Sequence, residues 1–212
     1  AITTRVDPPI PLARFRVRGQ LLEIRAADLR FSTDEVGEFF NGMMELGLSE
    51  ANLALLQQKT EGWAAGLHMA ALSLHGRQDT DHFIEEFSGA DRYILDYLLE
   101  EVIRQLPDET QRMIVQLSLL ERFCAPLCEA VTGSQNGVEL LEQLERANLF
   151  LISLDNRRQW YRYHHLFADL LQHRMSGQAQ EVSGVHMRAA HWFAEQNLLR
   201  EAVGHAVSSG DD

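Results

Sequence analysis

Lysine is nearly absent from this chain of 212 residues: Lys59 is the only one. A phosphate-binding loop of the Gly-x-x-x-x-Gly-Lys-Ser/Thr type lets backbone N–H groups and one ammonium cradle phosphates. Thr60 follows Lys59, but Leu53 and Gln58 stand where both glycines are needed. The chain therefore carries no such loop. With 2 cysteines it is no disulfide scaffold, and it suits a reducing compartment. With 5 prolines and 45% hydrophobic residues it can bury a core and is not of a disordered composition. The longest stretch free of formal charge, Gly62 to Gly76, includes His68 and His75 and is too short and polar to span a bilayer. No basic-then-apolar order marks a signal peptide. The missing initiator Met leads us to expect a segment of a longer, cytoplasmic protein.

Positive charge is also scarce, with 19 basic against 31 acidic residues and a net charge of −12. Residues 1–30 hold six arginines against three acids, whereas residues 31–107 hold four bases against fourteen acids. A nucleic-acid module needs a basic face to displace phosphate counterions, and only the first thirty residues have that sign.

The hydrophobic pattern predicts a mainly α chain. Ile2–Thr4 and Gln20–Ile24 read as strands around a short helix, Leu12–Arg18, closed by Gly19. Residues 1–30 thus look like the strand–helix–strand end of an α/β domain. From Ser32, which forms a capping box with Glu35, the period becomes helical. Val36, Phe39, Phe40 and Met43 share a face, and Ser49 caps a second helix. Trp63–Leu74, Asp81–Phe87 and Arg92–Gln105 follow, and Pro107 closes a helical domain over residues 31–107. Residues 108–175 read as a winged helix. Asp108 caps a helix over Glu109–Leu120, Pro126 opens one that ends at Gly133, and Val138–Ala147 is the third. A β-hairpin comes next, Leu149–Leu154 and Gln159–Tyr163, and helix resumes at His165–Met175. Residues 176–212 predict a helical pair, Glu181–Asn197 and Leu199–Ser208, ending at Gly210.

A winged helix suggests DNA reading, but the third helix carries Glu139, Glu142 and Glu145 against Arg146. Three carboxylates are repelled by a phosphate-lined groove, so we read the winged helix as a packing module. Arg157-Arg158 in the turn is the one feature in favour of DNA. His165, Asp169 and His173 share a helical face, yet a zinc site needs a further ligand and a supporting shell, so no metal site and no catalytic residue are assigned. Cys124 and Cys128 read as buried core thiols.

Four landmarks in order resemble the nucleotide-binding-and-switch module of STAND-class regulatory ATPases, in the MalT-type branch of LuxR-family transcription regulators. Thr3-Thr4-Arg5 before Pro8-Pro9 is similar to the sensor strand, which implies Arg5 near the γ-phosphate. Gly62-Trp63-Ala64-Ala65-Gly66 resembles the Gly-x-Pro region beside adenine and ribose; Ala64 replaces the proline, leaving Trp63 and backbone for that contact. Tyr163-His164-His165-Leu166 resembles the Met-His-Asp motif of NB-ARC proteins, which implies His164 on the β-phosphate of ADP; His165 replaces the aspartate. His186–Asp211 looks like the first TPR-like pair of a sensor arm. The resemblance implies an ATP/ADP switch with Mg in the intact protein and no cofactor bound to this segment alone. It further implies an inducer acting through an arm, self-association on activation, DNA binding by a separate helix-turn-helix, and no membrane role. Two alternatives stand beside it: a helical interaction scaffold whose acidic face docks a basic partner, and a metal-dependent hydrolase built on His165 and Asp169.

Overall fold

A computed structural model describes residues 1–4, 8–147 and 149–210. Among them the chain is mainly helical, with twelve α-helices and one two-stranded sheet. It divides into two compact units, residues 1–94 and 95–212.

The first unit opens with α1 (Leu12–Val17), which buries none of its residues. The segments expected to be strands on either side of it do not pair in a sheet among the described residues. A strand holds only if its N–H and C=O groups meet a neighbour. Here Leu22 and Ile24 instead point into solvent, 88% and 65% exposed. Arg16 and Arg25 close on Glu23 from both sides and tie the segment to itself. A 3-10 turn, Ala26–Leu29, follows.

The capping box forms as expected: Ser32 N donates to Glu35 Oε2 at 2.8 Å while Ser32 Oγ accepts from Glu35 N. It starts α2 (Thr33–Gly37), which widens into a π-helical stretch, Glu38–Met43. The wider turn lets Phe40 reach the core while Met43 stays exposed. Asn41 then clamps the returning chain, donating to Leu48 O at 2.9 Å and accepting from Leu48 N at 2.7 Å. Ser49 caps α3 (Glu50–Thr60), and α4 (Ala64–Leu74) and α5 (Thr80–Glu86) complete a core of Val36, Phe40, Leu56, Leu67, Leu74, Ile84 and Phe87. Lys59, singled out above only as missing its glycines, donates to Glu85 O and Phe87 O at 2.6 and 2.9 Å, holding the C-terminal end of α5.

The helix expected over Arg92–Gln105 is α6 (Arg92–Glu101) followed by a 3-10 turn, Ile103–Gln105. In the second unit α7 (Asp108–Leu117) starts with Pro107 at the cap position, so Asp108 is the first helical residue and not the cap. Its carboxylate still sits in the first turn, where the helix dipole favours it. Helix α8 (Ala125–Thr132) has its proline in the first turn and ends at left-handed Gly133. Helix α9 (Gly137–Arg146) crosses α8 closely: a Cβ on Gly137 would run into the Ala125 carbonyl. The hairpin of β1 (Leu151–Ser153) and β2 (Tyr161–Tyr163) pairs Leu151 with Tyr163 and Ser153 with Tyr161. Asp155 folds its tip by accepting from the N–H groups of Arg157, Gln159 and Trp160. Phe123, ahead of α8, exchanges two backbone bonds with Tyr161 and adds an isolated antiparallel bridge to β2. Helix α10 (His165–Arg174) follows, and α11 (Ala179–Glu195) with α12 (Leu199–Ser209) forms the antiparallel hairpin expected at that end, closed by left-handed Gly210.

Candidate functional site

His164 sits where β2 hands over to α10. Along β2 the period of two sends Tyr161 and Tyr163 inward and leaves Arg162 partly exposed. The backbone of His164 is still extended, at φ −59° and ψ 139°. Its N–H donates to Phe150 O at 2.8 Å, and its carbonyl accepts from Phe167 N and Ala168 N at 3.0 and 2.9 Å. His164 is thus both the last rung of the wing and the N-cap residue of a ten-residue helix. It is 4% exposed, and its Nδ1 is shut off from solvent. The N-terminus of α10 concentrates the positive end of the helix dipole beside the imidazole, a setting that favours an anion.

Aromatic rings hold this junction. Phe150 meets the His164 ring edge-on at 6.1 Å and stacks on Phe167 at 5.3 Å; Tyr163 packs on Phe167 at 5.4 Å and on Phe123 at 5.0 Å. Phe150 adopts a left-handed backbone, φ +53°, which a bulky residue takes only when its surroundings impose it. Arg162 donates from Nη1 to Tyr163 O at 3.0 Å, which brings a guanidinium to the same stretch of chain. The Tyr163 hydroxyl is buried with no hydrogen-bond partner among the described residues, and burial, then neighbouring Cys128, pushes its pKa well above the ordinary range. Cys124 and Cys128 are both free and buried, as expected, with burial raising both thiols. Sequence reasoning missed Phe150 and Arg162. Arg162 was legible from its outward position in the alternation; the conformation of Phe150 was not.

In the first unit, Trp63 and Ala64 stand at the start of α4. Trp63 is the cap residue, donating from its N–H to Thr60 O and accepting at its carbonyl from Leu67 N, and Ala64 is the exposed first helical residue. No side chain caps this helix and no acid occupies its first turn. That start is set by Gly62, whose left-handed backbone (φ +71°) brings its carbonyl to Phe31 N at 2.8 Å. Arg5 lies outside the described residues. Trp63 and Ala64 are therefore neighbours on one unit and His164 belongs to the other. No group of three or more His, Cys, Asp or Glu side chains suited to a metal occurs among the described residues. No helix among them is long and apolar enough to cross a membrane.

The face that a winged helix usually offers to DNA is acidic here. Glu139, Glu142 and Arg146 project from α9, with Arg146 paired to Glu142 at 2.5 Å. The wing's Arg158 is paired to Glu145 at 3.1 Å.

Three helices and a wing, with an added bridge from Phe123, make the second unit a winged-helix protein. Residues 99–183 match the family described as the MalT winged helix domain, so the chain carries a winged helix of MalT type. The HTH-type transcriptional regulator MalT of Klebsiella pneumoniae is 33% identical over 213 residues, which covers 99% of this chain. That of Vibrio campbellii is 32% identical over 215 residues, again 99% of this chain. The serine/threonine-protein kinase PknK of Mycobacterium tuberculosis is 39% identical over 203 residues, or 95% of this chain. The chain spans 24% of the length of these two MalT proteins and 18% of PknK.

Proposed function

We propose that this chain is the switch portion of an ATP/ADP-responsive, inducer-controlled, cytoplasmic transcription regulator of MalT/LuxR type, and that it is not itself the DNA reader. In this reading the closed state is held by His164 on the β-phosphate of ADP, with Trp63, Ala64 and Arg5 contributing to nucleotide recognition in the intact protein. Mg-nucleotide supplies the anionic ligand and the difference between its di- and triphosphate forms. Two features support this reading: a histidine at the N-terminus of α10, and a start of α4 whose N–H groups no side chain caps, are both places where an anion is favoured. Inducer and ATP shift the population to an open form that self-associates. DNA contact then falls to a separate helix-turn-helix, in keeping with the carboxylates on α9. The similarity of one segment to proteins named as regulators and to one named as a kinase supports a module whose task is separable from the output.

The observation that carries the reading is the position of His164, whose backbone is held by Phe150 and the first turn of α10 and whose ring packs edge-on against Phe150. The test is His164→Ala in the full-length protein, reading ADP retention and transcriptional output. We expect faster ADP release and inducer-independent activation, and, because the chain has no phosphate loop, we expect neither tight ATP binding nor enzymatic activity from the isolated chain. Sub-micromolar ATP affinity of the isolated chain overturns the second expectation. Unchanged ADP retention and output in His164→Ala overturns the first. That outcome favours a helical scaffold docking a basic partner, the reading to which the acidic outward face of α9 lends support.

A further inference from the structure

The α11–α12 hairpin contains a pair of histidines that the nucleotide switch does not use. His186 on α11 and His205 on α12 bring their Nδ1 atoms to 2.8 Å of each other. Their ring centroids are 5.1 Å apart, which is the nitrogen contact plus about one ring radius on each side. The rings therefore meet head-on, with each Nδ1 aimed at the other. That is the geometry of an N–H···N hydrogen bond, in which one imidazole carries a proton at Nδ1 and the other offers its lone pair. The pair is half-buried, and His205 lies flat on Phe193 at 5.4 Å with the planes 5° apart. Next along the hairpin, Ser183 Oγ donates to Ser209 O at 2.7 Å.

The surroundings are not neutral. Glu121, ahead of α8, and Glu201, on α12, face His205 and favour its charged form. Glu201 is itself committed to Arg122 at 2.5 Å. On α8, which packs against α11, the one charged residue is Glu129, and it accepts from Gly137 N. Against these acids, burial disfavours the imidazolium at both histidines, and at His205 the neighbouring His186 adds to that.

We propose that His186 and His205 form a proton-gated latch across the α11–α12 hairpin, closed while a single proton lies between the facing nitrogens and forced open when a second arrives. The first proton taken from solvent enters at an outward Nε2. It leaves the N–H···N bond intact and strengthens it, because the donor is now a cation. The second must enter at the accepting Nδ1. Two N–H groups and two positive charges then face each other at hydrogen-bond distance. No arrangement of the protons restores an acceptor, so the rings must part and the two helices loosen with them. The pair titrates as a unit in two steps, and the lower step operates the latch. The sign follows from the depressed affinity for protons. At the second step the closed hairpin binds fewer protons than the open one, so its stability holds through the first step. It is lost as pH falls from the ordinary histidine range toward the second step.

The test is histidine-ring 15N NMR and amide hydrogen exchange on the chain between pH 7.5 and 5. We expect two-step titration of His186 and His205. Protection of α11–α12 amides, corrected for intrinsic exchange, should fall roughly tenfold for each unit by which the second step lies below the free value. His186→Gln and His205→Gln, two independent variants, should each abolish this pH dependence while leaving other helices unaffected. Independent single-step titration of both rings at the ordinary value overturns the latch. Persistence of the pH-dependent loosening in either folded glutamine variant also overturns it.

Discussion

Substituting alanine for Gly62 tests how the start of α4 is set. Two costs arise there and can be separated. The first is conformational: at φ +71° an L-residue pays about 1 kcal/mol relative to glycine. The second is steric. A Cβ on Gly62 would lie 2.9 Å from Phe31 N and closer still to Phe31 O. Both atoms are backbone and cannot swing aside, so the Arg30–Phe31 strand of chain must retreat. The retreat breaks the Phe31 N–H bond to Gly62 O, worth about 1 kcal/mol net, and overpacking adds roughly 1–2 kcal/mol. Gly47 supplies the control, with φ +62° and nothing within 4 Å of an added Cβ. Gly47→Ala carries only the conformational cost, about 1 kcal/mol. Gly62→Ala should destabilise the first unit by about 3–4 kcal/mol in urea unfolding followed by circular dichroism and by Trp63 fluorescence, with Trp160 and Trp192 replaced by Phe in wild type and variant alike. Equal losses from the two substitutions would falsify the close-approach reasoning and leave backbone strain as the whole effect.

Lys59→Met keeps the aliphatic stem and removes two hydrogen bonds to the end of α5, so we expect a loss of about 1–2 kcal/mol, with the increase in amide exchange concentrated in α5 and the turn after it. Glu23, held between Arg16 and Arg25, has its carboxyl lowered to about 2, chiefly by the Arg16 hydrogen bond and then by Arg25. Because the folded value lies below the ordinary glutamate value of 4.5, its contribution to stability is complete above that value and disappears as pH falls toward 2. A side-chain carboxyl 13C titration should show this midpoint, and Arg16→Gln should raise it; a wild-type midpoint at the ordinary value refutes the cluster.

Local signals were legible where the chemistry is local. Ser32 with Glu35, Ser49, the proline-to-glycine limits of α8 and the alternation through Tyr161 and Tyr163 each act within a few residues of the structure they specify. The readings that changed concern partners elsewhere in the chain. Gln20–Ile24 has the alternation of a strand, but alternation describes a face and supplies no neighbouring edge. Phe123 joins the sheet through Tyr161 without any run of its own to announce it. Asp108 lost the cap position to Pro107, whose fixed φ suits the entry to a helix. At the candidate site, His164 was visible through its motif. The left-handed Phe150 beneath it was not, because a bulky residue is a poor guess for that conformation and only the packed wing enforces it.

The same contrast bears on what the winged helix contributes. A DNA reader keeps cations free on the third helix and wing, since they displace the counterions of the phosphate backbone. Here Arg146 and Arg158 are both paired with glutamates of α9 itself, so two of the three arginines on the third helix and the hairpin turn are engaged within the fold. The specific packing gathers at the end of β2 and the start of α10. There Phe123, Phe150, Tyr163 and Phe167 interlock around the strand end that presents His164. Burying rings of this size stabilises the unit by about 2–3 kcal/mol each, far more than the exposed ion pairs on α9. In this chain the wing is built inward, to fix the orientation of a histidine at a helix start, and the outward surface carries the solvated remainder.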